Sequence, residues 1–349
     1  MSTTAARAKA APSRDHALDG LRVAALLFVI VIHIGAKGFG VLGQNWWAIN
    51  LYESVARIAV PLFFMISGAL LLPREHGIAT IGKRAWRIGL PLLAWSLLYL
   101  AWFRHTGQQQ SDWLGLIVAG PVVAHLWYLY ALLGLYLFLP VLAPFFRANP
   151  VRVQVFCLVF WFIAASLVPL EVALTGRIQV GIQWAALPLY AGYMAAGALL
   201  YHHLPAVPRP RVLAGAWLGW AMCAAATALA TWWRVHTLAR PDETFWVYSS
   251  PTVLLAALAA FVCLRALFAA RVRAGSRLGR CIGFFAGASF GIYLVHVLVL
   301  FILDSRGIDY RFINPWLAIP LLTLGVAAVS ALLVRLLQAI PVVRAIVPQ

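Results

Sequence analysis

The chain has 349 residues, of which 63% are hydrophobic and 11% are charged. A soluble domain of this size carries roughly twice that charged fraction, so the composition excludes a single soluble globular domain. The net charge of +17 does not indicate a nucleic-acid partner, because the basic residues lie between apolar blocks, where the positive-inside rule places them. The four cysteines have no metal-ligand spacing, and we predict no metal site.

Repeated apolar blocks of about 18 to 24 residues predict an all-α, polytopic helical membrane protein with about ten transmembrane helices. The predicted spans are residues 18–36, 50–72, 85–103, 124–146, 153–170, 184–202, 212–233, 251–270, 283–303 and 315–338. No connector is long enough to form a second domain. We therefore predict one transmembrane domain over residues 18–338, between tails at residues 1–17 and 339–349.

Basic and aromatic residues are distributed unequally between the two sides of these spans. If the N-terminus is cytoplasmic, nineteen of the 27 Lys and Arg residues lie at inner ends or loops, seven lie on the outer side, and Arg57 lies inside the second span. This asymmetry predicts that both termini are cytoplasmic. Many tryptophans fall on the outer side, where they either form an interfacial belt or line a cleft in which a sugar ring stacks. They are Trp46, Trp47, Trp102, Trp113, Trp127, Trp184, Trp232, Trp233, Trp246 and Trp316.

The first span, LDGLRVAALLFVIVIHIG, contains an arginine and a histidine, which are costly in a membrane and mark a candidate functional site. Arg22 and His33 are eleven residues apart, so on a helix they project from the same face, roughly 16 Å apart along the axis. Arg22 either extends to the inner headgroups and pairs with Asp19, or takes part in function. Either the imidazole of His33 forms its hydrogen bonds with a neighbouring helix, or the neutral imidazole acts as a general base.

The second span, RIAVPLFFMISGALLL, contains a proline and a Ser-Gly pair. Pro61 is expected to release a backbone carbonyl, and Gly68 to allow close helix approach. Ser67 has no nucleophile-elbow context, so packing is the favoured interpretation, with a supporting role at the site as the alternative. Glu53 and Arg57 are four residues apart and are predicted to pair near the outer surface.

The basic group Lys83, Arg84 and Arg87 stands at the predicted inner entrance of the third span, and Arg84 and Arg87 share a helix face. The group either controls topology or binds an anion, since guanidinium groups bind phosphate bidentately.

Two later spans contain histidines beside tyrosines and form further candidate site residues. They are His125, Trp127 and Tyr128 in HLWYLYALLGLYLFLP, and Ser289, Tyr293 and His296 in SFGIYLVH. Together with His33, they place a histidine on each of three spans, and the three are candidates to converge as acceptor-binding or supporting residues.

At these residues the chain resembles the acyltransferase 3 family of integral membrane acyltransferases. The matching features, in chain order, are Arg22-x10-His33, AVPLFFMISGALLL, Arg84-x-x-Arg87, HLWYLYALLGLY, YAGYMAAGALL and ASFGIYLVH. They extend from residue 18 to residue 296 and so cover most of the chain. Many members carry a glutamate in a WSLxxE-type block, whereas the corresponding region here has no carboxylate. In lacking this carboxylate, the chain resembles a branch of the family that includes polysaccharide and common-antigen O-acetyltransferases. The partner of His33 is therefore left unassigned.

The resemblance implies transfer of an acyl group, most often acetyl, from cytoplasmic acyl-CoA to a hydroxyl of an extracytoplasmic or lipid-linked glycan, in the plasma (inner) membrane. It implies a catalytic role for His33, an essential Arg22, and acyl-CoA binding by Arg84 and Arg87, with Lys83 beside them. Acyl-CoA is then a co-substrate, and no tightly bound cofactor is expected. The expected partners are the glycan or glycolipid acceptor, the bilayer and other glycan-assembly proteins.

Two other functions remain open from the residues alone. A transporter or flippase of a lipid-linked glycan also has broken helices and polar residues at midmembrane depth. A non-catalytic assembly partner is the third alternative, and it requires His33 to be dispensable.

Overall fold

The structure is a computed structural model that describes residues 14–43, 45–108, 111–176 and 189–348, and every regular element in these ranges is a helix. The α-helices are α1 (His16–Gly35), α2 (Trp46–Ala56), α3 (Ala59–Leu71), α4 (Ile78–His105), α5 (Trp113–Ala119), α6 (Trp127–Ala148), α7 (Val151–Phe162), α8 (Val168–Leu174), α9 (Leu189–His203), α10 (Pro210–Leu238), α11 (Pro251–Arg271), α12 (Arg277–Ala286), α13 (Ser289–Ser305) and α14 (Pro315–Ala339). Short 3₁₀ segments cover Ala36–Gly38, Ala124–Leu126 and Val343–Ala345, and a π-helical turn, Ile163–Leu167, joins α7 to α8.

Eight helical stretches among the described residues are long and apolar enough to cross a membrane, which confirms the prediction of a polytopic helical membrane protein. They are His16–Gly38, Trp46–Leu71, Ile78–His105, Ala124–Ala148, Val151–Leu174, Pro210–Leu238, Pro251–Arg271 and Pro315–Ala339. The predicted sixth span begins outside the described residues, and its described part is α9. The number of ten spans and the cytoplasmic termini stay predictions.

The predicted ninth span, residues 283–303, is not one straight helix. It is split between α12 and α13, which meet at an angle of 69° across Gly287 and Ala288. The first residue of α13, Ser289, donates its hydroxyl to the carbonyl of Ala286 at 2.9 Å, which bonds the start of α13 to the end of α12. Counted as one broken span, this pair raises the number of candidate spans in the described ranges to nine.

The helical hydrogen bonding of the second span is interrupted between α2 and α3, and its proline explains the interruption. Because Pro61 has no N–H, it cannot bond the carbonyl of Arg57, four residues earlier. The helical pattern resumes with Leu62, whose N–H bonds the carbonyl of Ile58 at 3.0 Å. Residues 57 and 58 therefore form a turn between α2 and α3, which confirms the prediction of a released carbonyl in this span.

Two glycines allow α3 and α9 to pack backbone against backbone. A Cβ on Gly68 would overlap the backbone of Met194, and a Cβ on Gly197 would overlap the backbone of Met65. Small residues at such crossings are the usual route to close helix packing in membranes. The predicted close approach at Gly68 is confirmed.

Helix α1 lies at the centre of the bundle, where it packs against α2, α3, α11, α12, α13 and α14. It is a continuous helix of 20 residues that begins after Asp15, whose carboxylate accepts the N–H groups of Ala17 and Leu18. This carboxylate is a standard N-cap, and it helps to fix where the helix starts. Arg22 and His33 therefore lie on one uninterrupted helix, as predicted.

The tryptophans predicted for the outer side differ in exposure. Trp102, Trp113 and Trp127 are half-buried. Four are exposed, as an interfacial belt requires: Trp47, Trp232, Trp233 and Trp316. Trp46 and Trp246 are buried, and Trp46 also contributes to the wall of a pocket of about 500 Å³ between α2 and the α13–α14 connection. Trp184 lies outside the described residues.

Candidate active site

The three predicted intramembrane histidines meet in the structure. The ring centroids of His33 and His296 are 5.2 Å apart, those of His125 and His296 are 5.3 Å apart, and those of His33 and His125 are 5.9 Å apart. His33 comes from α1 and His296 from α13, whereas His125 lies in the 3₁₀ segment before α6. We call these three residues the histidine cluster.

Exposure and hydrogen bonding differ among the members of the histidine cluster. His125 and His296 are fully buried, whereas His33 is half-buried. The Nδ1 of His296 lies 2.7 Å from the carbonyl oxygen of Tyr293, and its Nε2 has no hydrogen-bond partner among the described residues. Both ring nitrogens of His125 also lack a partner there. The cluster thus contains buried hydrogen-bonding atoms that are open to a neighbour or a substrate.

No group of three or more His, Cys, Asp or Glu side chains in the described ranges is arranged to hold a metal ion. A neutral imidazole has one donor and one acceptor nitrogen, so each member of the histidine cluster can form hydrogen bonds and transfer a proton.

A cavity of about 490 Å³ opens beside the cluster, and we call it the arginine cavity. Its polar wall combines four guanidinium groups with five hydroxyls, and no carboxylate of the described residues lines it. The lining polar residues are Arg22, Ser67, Arg74, Arg84, Arg87, Tyr128, Tyr136, Ser289 and Tyr293. Several positive charges facing one partly apolar space favour an anionic ligand.

Two of the arginines in this wall differ in their partners. Arg22 lies 3.4 Å from Asp19, which also pairs with Arg14, so the predicted Arg22–Asp19 pair is present in addition to the place of Arg22 in the cavity wall. The Nε of Arg84 is buried and has no hydrogen-bond partner among the described residues. A buried donor on a cation without a partner is costly, and an anion in the cavity would satisfy it.

Tyr293, whose ring packs against Tyr128, adjoins both the arginine cavity and the histidine cluster. Both tyrosines line the cavity, and their ring centroids are 5.6 Å apart. The ring of Tyr293 is 5.5 Å from that of His125 and 6.0 Å from that of His296. Its hydroxyl donates to the backbone carbonyl of His125. His33 does not line the cavity, and the ring of Tyr293 lies between the cavity and the rings of His125 and His296.

Three other residues predicted from the sequence as site residues lie in different positions relative to the arginine cavity. Lys83 is exposed and does not line the arginine cavity. Trp127 packs on Tyr190 and Tyr248, with ring centroids 5.3 and 5.6 Å apart, outside the cavity wall. Ser67, for which packing was favoured, lies in the wall beside Tyr128.

Sequence reasoning missed Arg74 and Tyr136 as site residues, although both line the cavity. Tyr136 could have been found, because Tyr128, Leu132 and Tyr136 recur every four residues on one face of α6. Arg74 follows the end of α3 in a connector, and nothing in its local pattern distinguishes it from an arginine that only sets topology.

The predicted Glu53–Arg57 pair is present, with Nη2 of Arg57 2.8 Å from Oε2 of Glu53. The pair lies inside the bundle, because Glu53 is 0% exposed and packs against Gly35 of α1, and Arg57 lies over the ring of Trp246 at 4.9 Å. Its predicted place near the outer surface stays a prediction.

A family model described as an acyltransferase domain, that of acyltransferase 3, matches residues 15–335. No curated protein and no solved structure matches the chain.

Proposed function

The chain belongs to the acyltransferase 3 family and is a multi-pass membrane acyltransferase. From this premise we propose that it moves an acyl group, acetyl in the simplest case, from cytoplasmic acyl-CoA to a glycan. The acceptor is a hydroxyl of an extracytoplasmic or lipid-linked glycan. The observation that carries the proposal is the arginine cavity, which ends within one ring layer of the histidine cluster. A donor site and a proton-transfer site thus adjoin each other in one bundle, which we place in the plasma (inner) membrane.

The arginine cavity supports acyl-CoA as the donor. The phosphates of CoA are multiply charged anions, and guanidinium groups bind phosphate bidentately while staying charged. Arg84 supplies an unpartnered buried Nε, and Arg22 and Arg87 lie in the same wall. The apolar part of that wall, which includes Phe63 and Leu132, suits the pantetheine arm. The thioester would then approach the histidine cluster past Tyr128 and Tyr293.

His33 is proposed as the general base. One ring nitrogen of His33 takes the proton of the acceptor hydroxyl, and the oxygen forms a bond to the thioester carbonyl carbon. The carbon–sulfur bond breaks, and the CoA thiolate receives the proton from the His33 imidazolium, so the products are the acyl ester and CoA. His33 suits this role because it is the half-buried member of the cluster, whereas His125 and His296 are enclosed.

Arg22 has a different role from His33 in this scheme. The two residues are eleven positions apart on α1, which corresponds to roughly 16 Å, so they cannot act on the same atom. Arg22 lines the arginine cavity and is proposed to hold the donor, and His33 is proposed to act on the acceptor hydroxyl.

The proposal is tested with inside-out membrane vesicles that contain the protein, labelled acetyl-CoA and the glycolipids of that membrane. We expect base-labile label to enter glycolipid with the wild-type protein. Because general-base catalysis typically contributes 10²–10⁴-fold, we expect His33→Ala to lower this rate by about that factor. His105→Ala, at the exposed end of α4, is the control and should transfer normally.

Wild-type rates in His33→Ala would contradict the role of His33. Movement of glycolipid across the bilayer without acetyl-CoA and without label transfer would instead support transport. Competition by succinyl-CoA in the same assay identifies which acyl group the protein prefers.

A further inference from the structure

The hydrogen bonding of His296 determines which of its ring nitrogens carries the proton. Its Nδ1 lies 2.7 Å from the carbonyl oxygen of Tyr293 and 3.2 Å from that of Ile292. A carbonyl oxygen only accepts, so Nδ1 must be the N–H donor. In the neutral ring the lone pair is then on Nε2, which is buried and has no partner among the described residues.

The rings of His33 and His125 both lie close to that of His296, with centroids 5.2 and 5.3 Å away. The rings of His33 and His296 have the shortest centroid separation in the histidine cluster, 5.2 Å, with an interplanar angle of 48°. The ring of His125 is 5.9 Å from His33 and nearly perpendicular to it. Of the two, His296 has the shorter ring separation from His33, and its tautomer is fixed by its hydrogen bond to the carbonyl of Tyr293.

We propose that His296 is a positioning residue for His33: its Nε2 accepts the N–H of one His33 ring nitrogen and thereby leaves the other His33 nitrogen free to take a proton. This inference rests on the proposed function of His33. The arrangement has the logic of the orienting group in a catalytic triad, with a neutral imidazole in the place of a carboxylate. Catalytic hydrogen bonds are often long before substrate binds and shorten in the complex.

A neutral partner is physically suited to this depth in the bundle. The nearby carboxylate, Glu53, is already paired with Arg57, and a second buried carboxylate would need its own counter-charge. His296 instead accepts a hydrogen bond while adding no charge to the resting site. When His33 takes the acceptor proton, it still donates to His296, and the proton returns to the CoA thiolate from His33.

The test compares His296→Gln, which keeps an acceptor oxygen, with His296→Leu, which has none. Each full-length variant is purified into lipid nanodiscs and treated with diethyl pyrocarbonate, and the carbethoxylation rate of His33 is followed by peptide mass spectrometry. Exposed His203 serves as the internal reference, and His105→Leu is the control variant. Losing the partner that orients a metal-bound histidine typically costs 10–100-fold, and by this analogy we expect the His33 rate to fall about tenfold in His296→Leu. In His296→Gln it should stay within about threefold of wild type, since the acceptor is kept.

An unchanged His33 rate in His296→Leu, with His203 unchanged, would overturn the inference. If His296→Leu fails to fold, the Gln variant decides: a His33 rate near wild type supports the inference, and a tenfold loss overturns it. In the labelled acetyl-CoA assay, His296→Leu should lower kcat and leave the KM for acetyl-CoA unchanged. The carbethoxylation rate does not depend on acyl transfer, so normal transfer by His33→Ala would reject the proposed function separately.

Discussion

At the scale of single residues, exposure and partners separate the side chains that the sequence could only group together. His33, His125 and His296 are equivalent in the sequence as histidines in apolar surroundings, but only His33 is half-buried, and a carbonyl 2.7 Å away fixes the tautomer of His296. Lys83 and Arg84 are neighbours in sequence, but only Arg84 lines the arginine cavity. A helix turns 100° per residue, so adjacent residues point in different directions.

The arginine cavity leads to a prediction about donor affinity. Removing one charge-assisted hydrogen bond typically costs about 1.5–3 kcal/mol, so we expect Arg84→Gln to raise the KM for acetyl-CoA about tenfold or more, with a smaller change in kcat. Arg22→Gln should act in the same direction. The measurement is the acetyl-CoA dependence of label transfer, together with direct binding of acetyl-CoA to the purified protein.

Arg104→Gln is the matched control, because Arg104 lies on the same helix as Arg84, near its other end, and does not line the cavity. It should leave donor affinity unchanged. Unaltered acetyl-CoA binding in both Arg84→Gln and Arg22→Gln would show that the phosphates bind elsewhere.

At the scale of elements, the breaks in helices and the close crossings decide the shape of the site. Pro61 interrupts the hydrogen bonding of the second span just after Glu53 and Arg57, which pair in the interior of the bundle. The break before Ser289 places that residue in the cavity wall at the start of α13. The proline was visible in the sequence, but the 69° angle between α12 and α13 was not.

The crossing of α3 and α9 leads to a prediction about stability. Gly68→Val inserts a side chain where a Cβ alone already overlaps the backbone of Met194, and backbone cannot move aside as a flexible side chain can. Overpacking typically costs about 1–3 kcal/mol, so we expect a lower midpoint of thermal unfolding in detergent.

Gly134→Ala in α6 is the control for this change, because a Cβ at Gly134 meets nothing within 4 Å. It should be neutral or slightly stabilising, since Ala is a better helix former than Gly. Equal unfolding midpoints for Gly68→Val and the wild type would show that α3 and α9 do not pack as described.

At the scale of the whole molecule, α1 connects the two halves of the site. Arg22 in its first turns lines the arginine cavity, and His33 near its end belongs to the histidine cluster. With the predicted orientation, the cavity faces the cytoplasm and the cluster lies towards the outer side, so donor and acceptor would arrive from opposite faces.

This orientation is tested by labelling at the two ends of α4. Lys83 and Arg104 are 21 residues apart on this helix, which corresponds to about 31 Å, the thickness of a bilayer core. In a variant without its native cysteines, Lys83→Cys should react with a membrane-impermeant maleimide only in inside-out vesicles. Arg104→Cys should react only in intact right-side-out vesicles. The reverse pattern would show that the donor cavity faces outward.

The sequence by itself determined the class of the protein, most of its helices and the common face of Arg22 and His33. These features are local, because a membrane helix satisfies its backbone hydrogen bonds within one segment and repeats every 3.6 residues. Only the tertiary structure decided that the three histidines meet, that Glu53 is buried and that Arg74 and Tyr136 join the cavity wall. Those facts depend on the packing of helices that are far apart in the chain. Such packing is governed by shape and small residues rather than by a pattern within any one segment.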